Sequence, residues 1–197
     1  MIALMPDPSR RSERSRRAIL TAAMELVREV GYRKLTIEAI AARAGVGKQT
    51  IYRWWPSKAA VVLDGVLAAV NEDPHDLSLP DTGDVAADLR GVVRAIVAEL
   101  DDPELSGTTR ALTVEMQDDP EFAEMVRERL LGPQLRAIAD RLRAAQEAGQ
   151  LRADVDPAVA VELVIGPLYH RWLLRTAPLT PDYADTVTGL ALRALAP

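Results

Sequence analysis

At 197 residues, 48% hydrophobic and 27% charged, the chain has the makeup of a folded globular protein, with room for one large domain or two small ones, and not that of a disordered one. It has no Cys, which excludes disulfides, thiolate metal centres and cysteine nucleophiles and fits a reducing cytoplasm. Its only His residues are His75 and His170, so a histidine-rich metal site is excluded too; neither metal nor cofactor is expected.

Uninterrupted apolar runs, as at Ala59–Leu63 and Val66–Val70, reach about five residues where a membrane span needs about 20, so no membrane association is expected. Met1–Met5 is too short for a signal-peptide core and has no basic residues before it, so a cytoplasmic location is expected. The net charge of -5 hides an asymmetry. Residues 1–60 carry twelve Lys or Arg against five Asp or Glu, while residues 61–197 carry twelve against 24. A basic module joined to an acidic one fits a first part that meets a polyanion, although a solvated cationic face reads the same by charge alone.

In chain order, residues 1–12 read as a flexible N-terminal arm, with Arg10 and Arg11 open to loose phosphate contact or simply solvated. Over Arg14–Val30 the residues Ile19, Ala22, Ala23, Leu26, Val27 and Val30 recur at helical spacing, and Gly31 follows as a stop. Thr36 reads as the N-cap of a short second helix with Glu38 in its first turn, suited to the helix dipole, and with Ile37, Ile40, Ala41 and Ala44 on one face. Gly45 makes the turn. Lys48–Trp55 then reads as a further helix with Ile51 and Trp55 inward, completing a helix-turn-helix. Its outward residues, Lys48, Gln49, Thr50, Tyr52, Arg53 and Trp54, include no carboxylate and suit the edges of bases in a DNA major groove. For Trp54, a phosphate contact and simple packing both remain open. Pro56-Ser57-Lys58 ends that helix and caps the next, placing an ammonium at its start.

Thr36–Ala41 together with Ala44–Lys58 resembles the DNA-binding domain of TetR-family transcriptional regulators, over about Arg14–Leu63. The resemblance implies base or groove contacts for Gly47, Lys48, Gln49, Thr50 and Arg53, and phosphate contacts for Thr36, Tyr52, Trp54 and Lys58. Many members have Tyr or His and then Phe where this chain has Trp54-Trp55.

The rest reads as helical throughout, so the fold class is all-α: a three-helix DNA-binding domain over 13–57 and a helical effector-binding and dimerisation domain over 58–197. Helices are expected over 57–71 and 84–100, then a short one after Asp102-Pro103, and a long one from Asp119-Pro120 to Ala148 that Gly132-Pro133 kinks or breaks. The stretch 158–174 is too apolar for a surface helix, and Thr180-Pro181 opens a partner for it. These last two helices fit a homodimer interface that includes Val159, Leu163, Trp172, Val187, Leu190 and Ala194, the alternative being a monomeric core. The resemblance implies a small-molecule effector. Leu112, Met116, Phe122 and Met125 are candidates for its pocket, though ordinary packing explains such residues as well.

The function expected is a dimeric repressor on a palindromic DNA operator, released by a ligand, with an activator or a non-specific DNA binder as alternatives. An enzyme is disfavoured: its only acid/base pair, Glu162 with His170, is eight residues apart on one helix, about 12 Å, too far to interact directly.

Overall fold

The computed structural model describes residues 8–72 and 79–197, and every regular element among them is helical. No described helix is long and apolar enough to cross a membrane. The chain divides into two compact units. The first holds α1 (Pro8–Val30), α2 (Ile37–Ala44), α3 (Lys48–Tyr52) and α4 (Lys58–Glu72), together with Ala111–Ala123. The second holds α5 (Val85–Asp101), the start of α6 (Pro103–Asp118), the end of α7 (Pro120–Val126), α8 (Gly132–Glu147), α9 (Pro157–Leu174) and α10 (Pro181–Ala194).

In the first unit, α1 begins at Pro8, six residues before the expected start; proline suits a first helical turn, where its missing N–H is not needed. The expected arm is therefore helical from Pro8, and Met1–Asp7 lies outside the described residues. Ile19, Ala22, Ala23, Leu26 and Val27 are buried as the periodicity predicts, whereas Val30, at the helix end, is 44% exposed. Ser57 caps α4, its hydroxyl oxygen accepting from the Ala60 N–H at 3.2 Å. The domain boundary expected after residue 57 falls inside this unit. The change of charge marks one place and the change of core another, because α4 buries Ala59–Leu63 and packs on α1. At Gly65 a Cβ would lie 2.7 Å from Met24 Sδ, so the Met24 side chain fills the space that this glycine leaves.

In the second unit three helices open on side-chain caps. Asp84 accepts from the Ala86 and Ala87 N–H groups, Asp156 from Ala158 and Thr180 from Tyr183. Val93, Val97, Leu142, Val164, Leu168 and Ala191 lie in one apolar core drawn from α5, α8, α9 and α10. A buried ion pair crosses it at one side: Arg141 Nε and Nη2 donate to Asp88 Oδ2 at 2.9 and 2.7 Å, and Thr82 Oγ1 donates to Asp88 Oδ1 at 2.6 Å.

Two elements differ from expectation. The short helix after Asp102-Pro103 runs to 16 residues, although Ser106-Gly107-Thr108-Thr109 has low helix propensity; burial of Thr108 and Leu112 overrides it. At Gly132-Pro133 the helical form changes without an intervening loop, and Pro133 falls in the first turn of α8. A π-helical turn over Arg127–Leu131 joins α7 to α8, and at the first turn of α8 the missing N–H of Pro133 costs little.

Candidate nucleic-acid interface

The helix-turn-helix is built by local chemistry. Thr36 has extended backbone angles and its hydroxyl oxygen accepts from the Ala39 N–H at 3.1 Å, which leaves the hydroxyl proton free to be donated outward. Gly45 takes the left-handed conformation, φ 66° and ψ 35°, and the Val46 N–H closes back on the Ala41 carbonyl at 3.0 Å. Gly47 precedes α3 at φ −77°, an angle open to any residue, and a Cβ there would meet nothing within 4 Å. Neither backbone strain nor packing inside the protomer therefore calls for glycine at 47.

α3 ends at Tyr52, earlier than the expected Trp55, and the Trp54 and Trp55 N–H groups both return to the Ile51 carbonyl. Pro56 disfavours helical geometry at the residue before it, which shortens the helix. The inward assignments hold: Ile51 is 0% exposed and Trp55 4%. Beneath them lies a residue that helical periodicity missed. Buried Asp64 accepts from Trp55 Nε1 at 2.8 Å and from Arg16 Nη2 at 3.1 Å, tying α1, α4 and the end of the recognition segment together. A lone carboxylate directly after the apolar run Ala59–Leu63 was the available signal. Asp64→Ala leaves the indole N–H without its acceptor and should cost about 1–3 kcal/mol, read as a lowered melting temperature. An unchanged melting temperature would remove Asp64 from the framework.

Outward from this framework, Gln49, Thr50, Tyr52 and Arg53 line one shallow concavity. Lys48, Gln49, Tyr52 and Arg53 are exposed, and Thr50 is half-buried. Trp54 is half-buried, edge-on to Trp55 at 5.4 Å between ring centroids, with the Arg53 guanidinium 5.4 Å from its own centroid. Lys58 has more to do than the sequence revealed. Its ammonium donates to the Tyr32 and Leu35 carbonyls at 3.2 and 3.1 Å and lies 4.4 Å from the Tyr32 ring centroid, so it braces the segment before α2. Tyr32 in turn donates its hydroxyl to Glu115 Oε2 at 3.1 Å; burial, reinforced by the Glu115 charge, pushes the phenol well above its ordinary pKa and keeps it a donor.

Two acidic groups bear on the charge of this surface. Glu29 grips Arg43 through both guanidinium nitrogens at 2.8 and 2.9 Å, which engages that cation in holding α2 to α1. Glu38 pairs with Lys48 at 3.0 Å; the hydrogen bond holds the carboxylate below its usual pKa and the ammonium above its own. α3 itself carries no carboxylate, but its first residue is met by one from α2.

The remaining candidates separate. Leu112, Met116 and Phe122 belong to the first unit and Met125 to the second; Leu112 and Phe122 are buried, Met116 and Met125 half-buried. On the last two helices Val159, Leu163 and Leu190 are 56%, 45% and 55% exposed, and Ala194 is exposed as well. Trp172 and Val187, expected on the same outer face, are instead core residues of the protomer, and Trp172 Nε1 donates to Ser106 Oγ at 2.7 Å. An all-round apolar helix such as α9 hides which stripe faces its own core. His170 and Glu162 are both exposed on α9, and among the described residues no group of His, Asp or Glu is arranged to hold a metal.

Comparison with known proteins agrees with this architecture. Residues 19–64 match the family model described as bacterial regulatory proteins, tetR family, and residues 79–191 match a tetracyclin repressor-like C-terminal domain. The HTH-type transcriptional regulator YdeS of Bacillus subtilis (strain 168) is 33% identical over 88% of this chain and 85% of its own. The crystal structure of the TetR family transcription regulator SCO0332 superposes with a TM-score of 0.76 at 36% identity, covering 93% of this chain and 99% of that one. The flavonoid-responsive regulator FrrA gives a TM-score of 0.68 at 26% identity over 94% and 98%.

Proposed function

This chain belongs to the TetR family of transcriptional regulators, and we propose that it acts as a homodimeric repressor whose two N-terminal heads grip a palindromic operator until a small molecule releases it. The observation that carries this reading is the outward row of α3: Gln49, Thr50, Tyr52 and Arg53 share one concavity, mounted on buried Ile51 and Trp55. A helix fits the major groove, glutamine and arginine make paired hydrogen bonds to base edges, and threonine meets the thymine methyl. Bare, unstrained Gly47 beside this row suits close approach of a duplex. Thr36, Tyr52, Trp54 and Lys58 take the phosphates, Lys58 with the one ammonium proton not donated to a carbonyl.

Pairing of two heads is supported by the exposed apolar residues Val159, Leu163 and Leu190, with Ala194, on helices that otherwise complete the core of their unit. The effector is proposed to contact the Ala111–Ala123 segment of the first unit around Leu112, Met116 and Phe122. That FrrA is described as flavonoid-responsive supports a ligand-controlled mode. Release requires the effector to bind the DNA-incompetent arrangement more tightly, since a ligand with equal affinity for both shifts nothing. The site of action is the cytoplasm.

The test is fluorescence anisotropy on a duplex recovered by binding selection. Gln49→Ala or Arg53→Ala should each cost about 1–3 kcal/mol on that duplex and relax preference at one base pair while leaving random-sequence binding nearly unchanged. Lys58→Ala should weaken all duplexes alike. If the Gln49 and Arg53 variants bind the selected duplex as tightly as wild type, base reading by α3 is wrong.

A further inference from the structure

The Glu38–Lys48 pair sits where the recognition helix begins, and nothing in the fold depends on it. Its side chains are 63% and 53% exposed, and the packing of α2 and α3 is already fixed by Ile37, Ile40, Ala41 and Ile51 and by the Gly45 turn. Ion pairs this exposed add little to stability. Nor does the pair suit a phosphate, because the Glu38 carboxylate 3.0 Å from the Lys48 ammonium would be brought beside a second anion.

We propose that Glu38 and Lys48 together read one G·C base pair in each half-site, Lys48 donating to guanine O6 or N7 and Glu38 accepting from the cytosine N4 amino group. This inference rests on the DNA-reading role proposed above for α3. On its major-groove edge a G·C pair places two adjacent acceptors on guanine and a donor on cytosine, the complement of an ammonium beside a carboxylate. An A·T pair places its donor between two acceptors, so a carboxylate aimed at it is repelled from both sides. The pair has a second consequence. While bonded to Glu38, Lys48 is withheld from indiscriminate phosphate contact, so Glu38 lowers non-specific affinity and raises the ratio of specific to non-specific binding.

The experiment is a binding selection from a random duplex pool with wild type, Glu38→Gln, Lys48→Met and the double variant, with melting temperatures confirming that each is folded. Wild type should enrich a G·C pair at one symmetric position per half-site, and replacing it with A·T should weaken binding by about 10-fold. Glu38→Gln should cut that preference to about 3-fold or less, tighten binding to a random-sequence duplex and steepen its salt dependence by about one counterion. Lys48→Met should abolish the preference, and adding Glu38→Gln to it should change base preference no further. An enriched inverted repeat whose preferences all survive Glu38→Gln overturns this inference and leaves the proposed function standing. A wild-type selection that enriches nothing overturns both.

Discussion

Replacing Leu163 with Glu should leave each protomer folded yet abolish dimers and weaken binding to a two-half-site operator by about 10²–10⁴-fold, the advantage lost when two linked contacts become one. The residue is 45% exposed on α9, so its substitution opens no cavity and buries no charge within the protomer. In a self-complementary interface the same substitution appears twice. Two carboxylates would be driven into one apolar patch, together with the exposed Val159 and Leu190 that flank the proposed contact. Sedimentation measures the mass and anisotropy the affinity. A variant that remains dimeric and retains wild-type operator binding would move the interface away from α9 and α10. A single half-site duplex is the control: its affinity should barely change, because the reading face proposed for α3 is untouched.

The second large effect is on stability. Asp88 and Arg141 are 3% and 8% exposed, and removing one leaves Arg141 to the exposed Asp81 carboxylate 3.4 Å away or Asp88 to Thr82, so Asp88→Ala or Arg141→Met should each cost about 3 kcal/mol by denaturant unfolding, the low end for a broken buried pair. The double replacement Asp88→Leu with Arg141→Met should regain much of that loss, since an apolar pair demands no compensation. The pair also carries a pH signature. Burial opposes ionisation of Asp88, but hydrogen bonds from Thr82 and Arg141 outweigh it and hold the carboxyl below its ordinary value of 3.8. A folded pKa lower than the unfolded one gives stability that is complete above the unfolded value and is lost as the pH falls through the folded value. The gap between wild type and Asp88→Ala should therefore be constant near neutrality and narrow on acidification below about pH 4. A gap independent of pH down to acid unfolding would show that Asp88 carries no such linkage.

What the sequence made legible follows the range of the interactions involved. Thr36, Gly45, Ser57 and Thr180 act on backbone groups within a few residues, and each takes its expected place as a cap, turn or helix start. Ile51 and Trp55 were assigned inward by spacing alone, and both are buried. The failures come from longer range. Asp64 meets Arg16 across 48 residues, Tyr32 meets Glu115 across 83, and Arg141 meets Asp88 across 53, distances over which periodicity has nothing to say. Glu38 was assigned to the dipole of α2, a role correct in position, but its bond to Lys48 depends on how the Gly45 turn brings two helices together. On α9, which is apolar around most of its circumference, the pattern could not distinguish Trp172, in the core, from Leu163, on the surface. On α10 apolar character alone does not mark the outer stripe either: the helix buries Ala184, Val187 and Ala191 and leaves Leu190 exposed.

The charge asymmetry has its physical counterpart in how the cations of the first unit are used. Arg43 is held by Glu29, Arg16 donates to Asp64, and Lys58 braces backbone carbonyls, so the excess of basic residues is partly internal scaffolding. The net charge of this unit is therefore a poor measure of what it can offer a polyanion, since these three cations are already engaged within the fold.

The most direct test of the whole account is selection of bound fragments from a random duplex pool by the purified wild-type protein, followed by the mass of the resulting complex. An inverted repeat with half-site centres about one helical turn, roughly 34–36 Å, or a multiple of it apart, carrying two protomers, is the predicted result. Recovery of no common sequence, or of a single unrepeated site bound by one protomer, would contradict it.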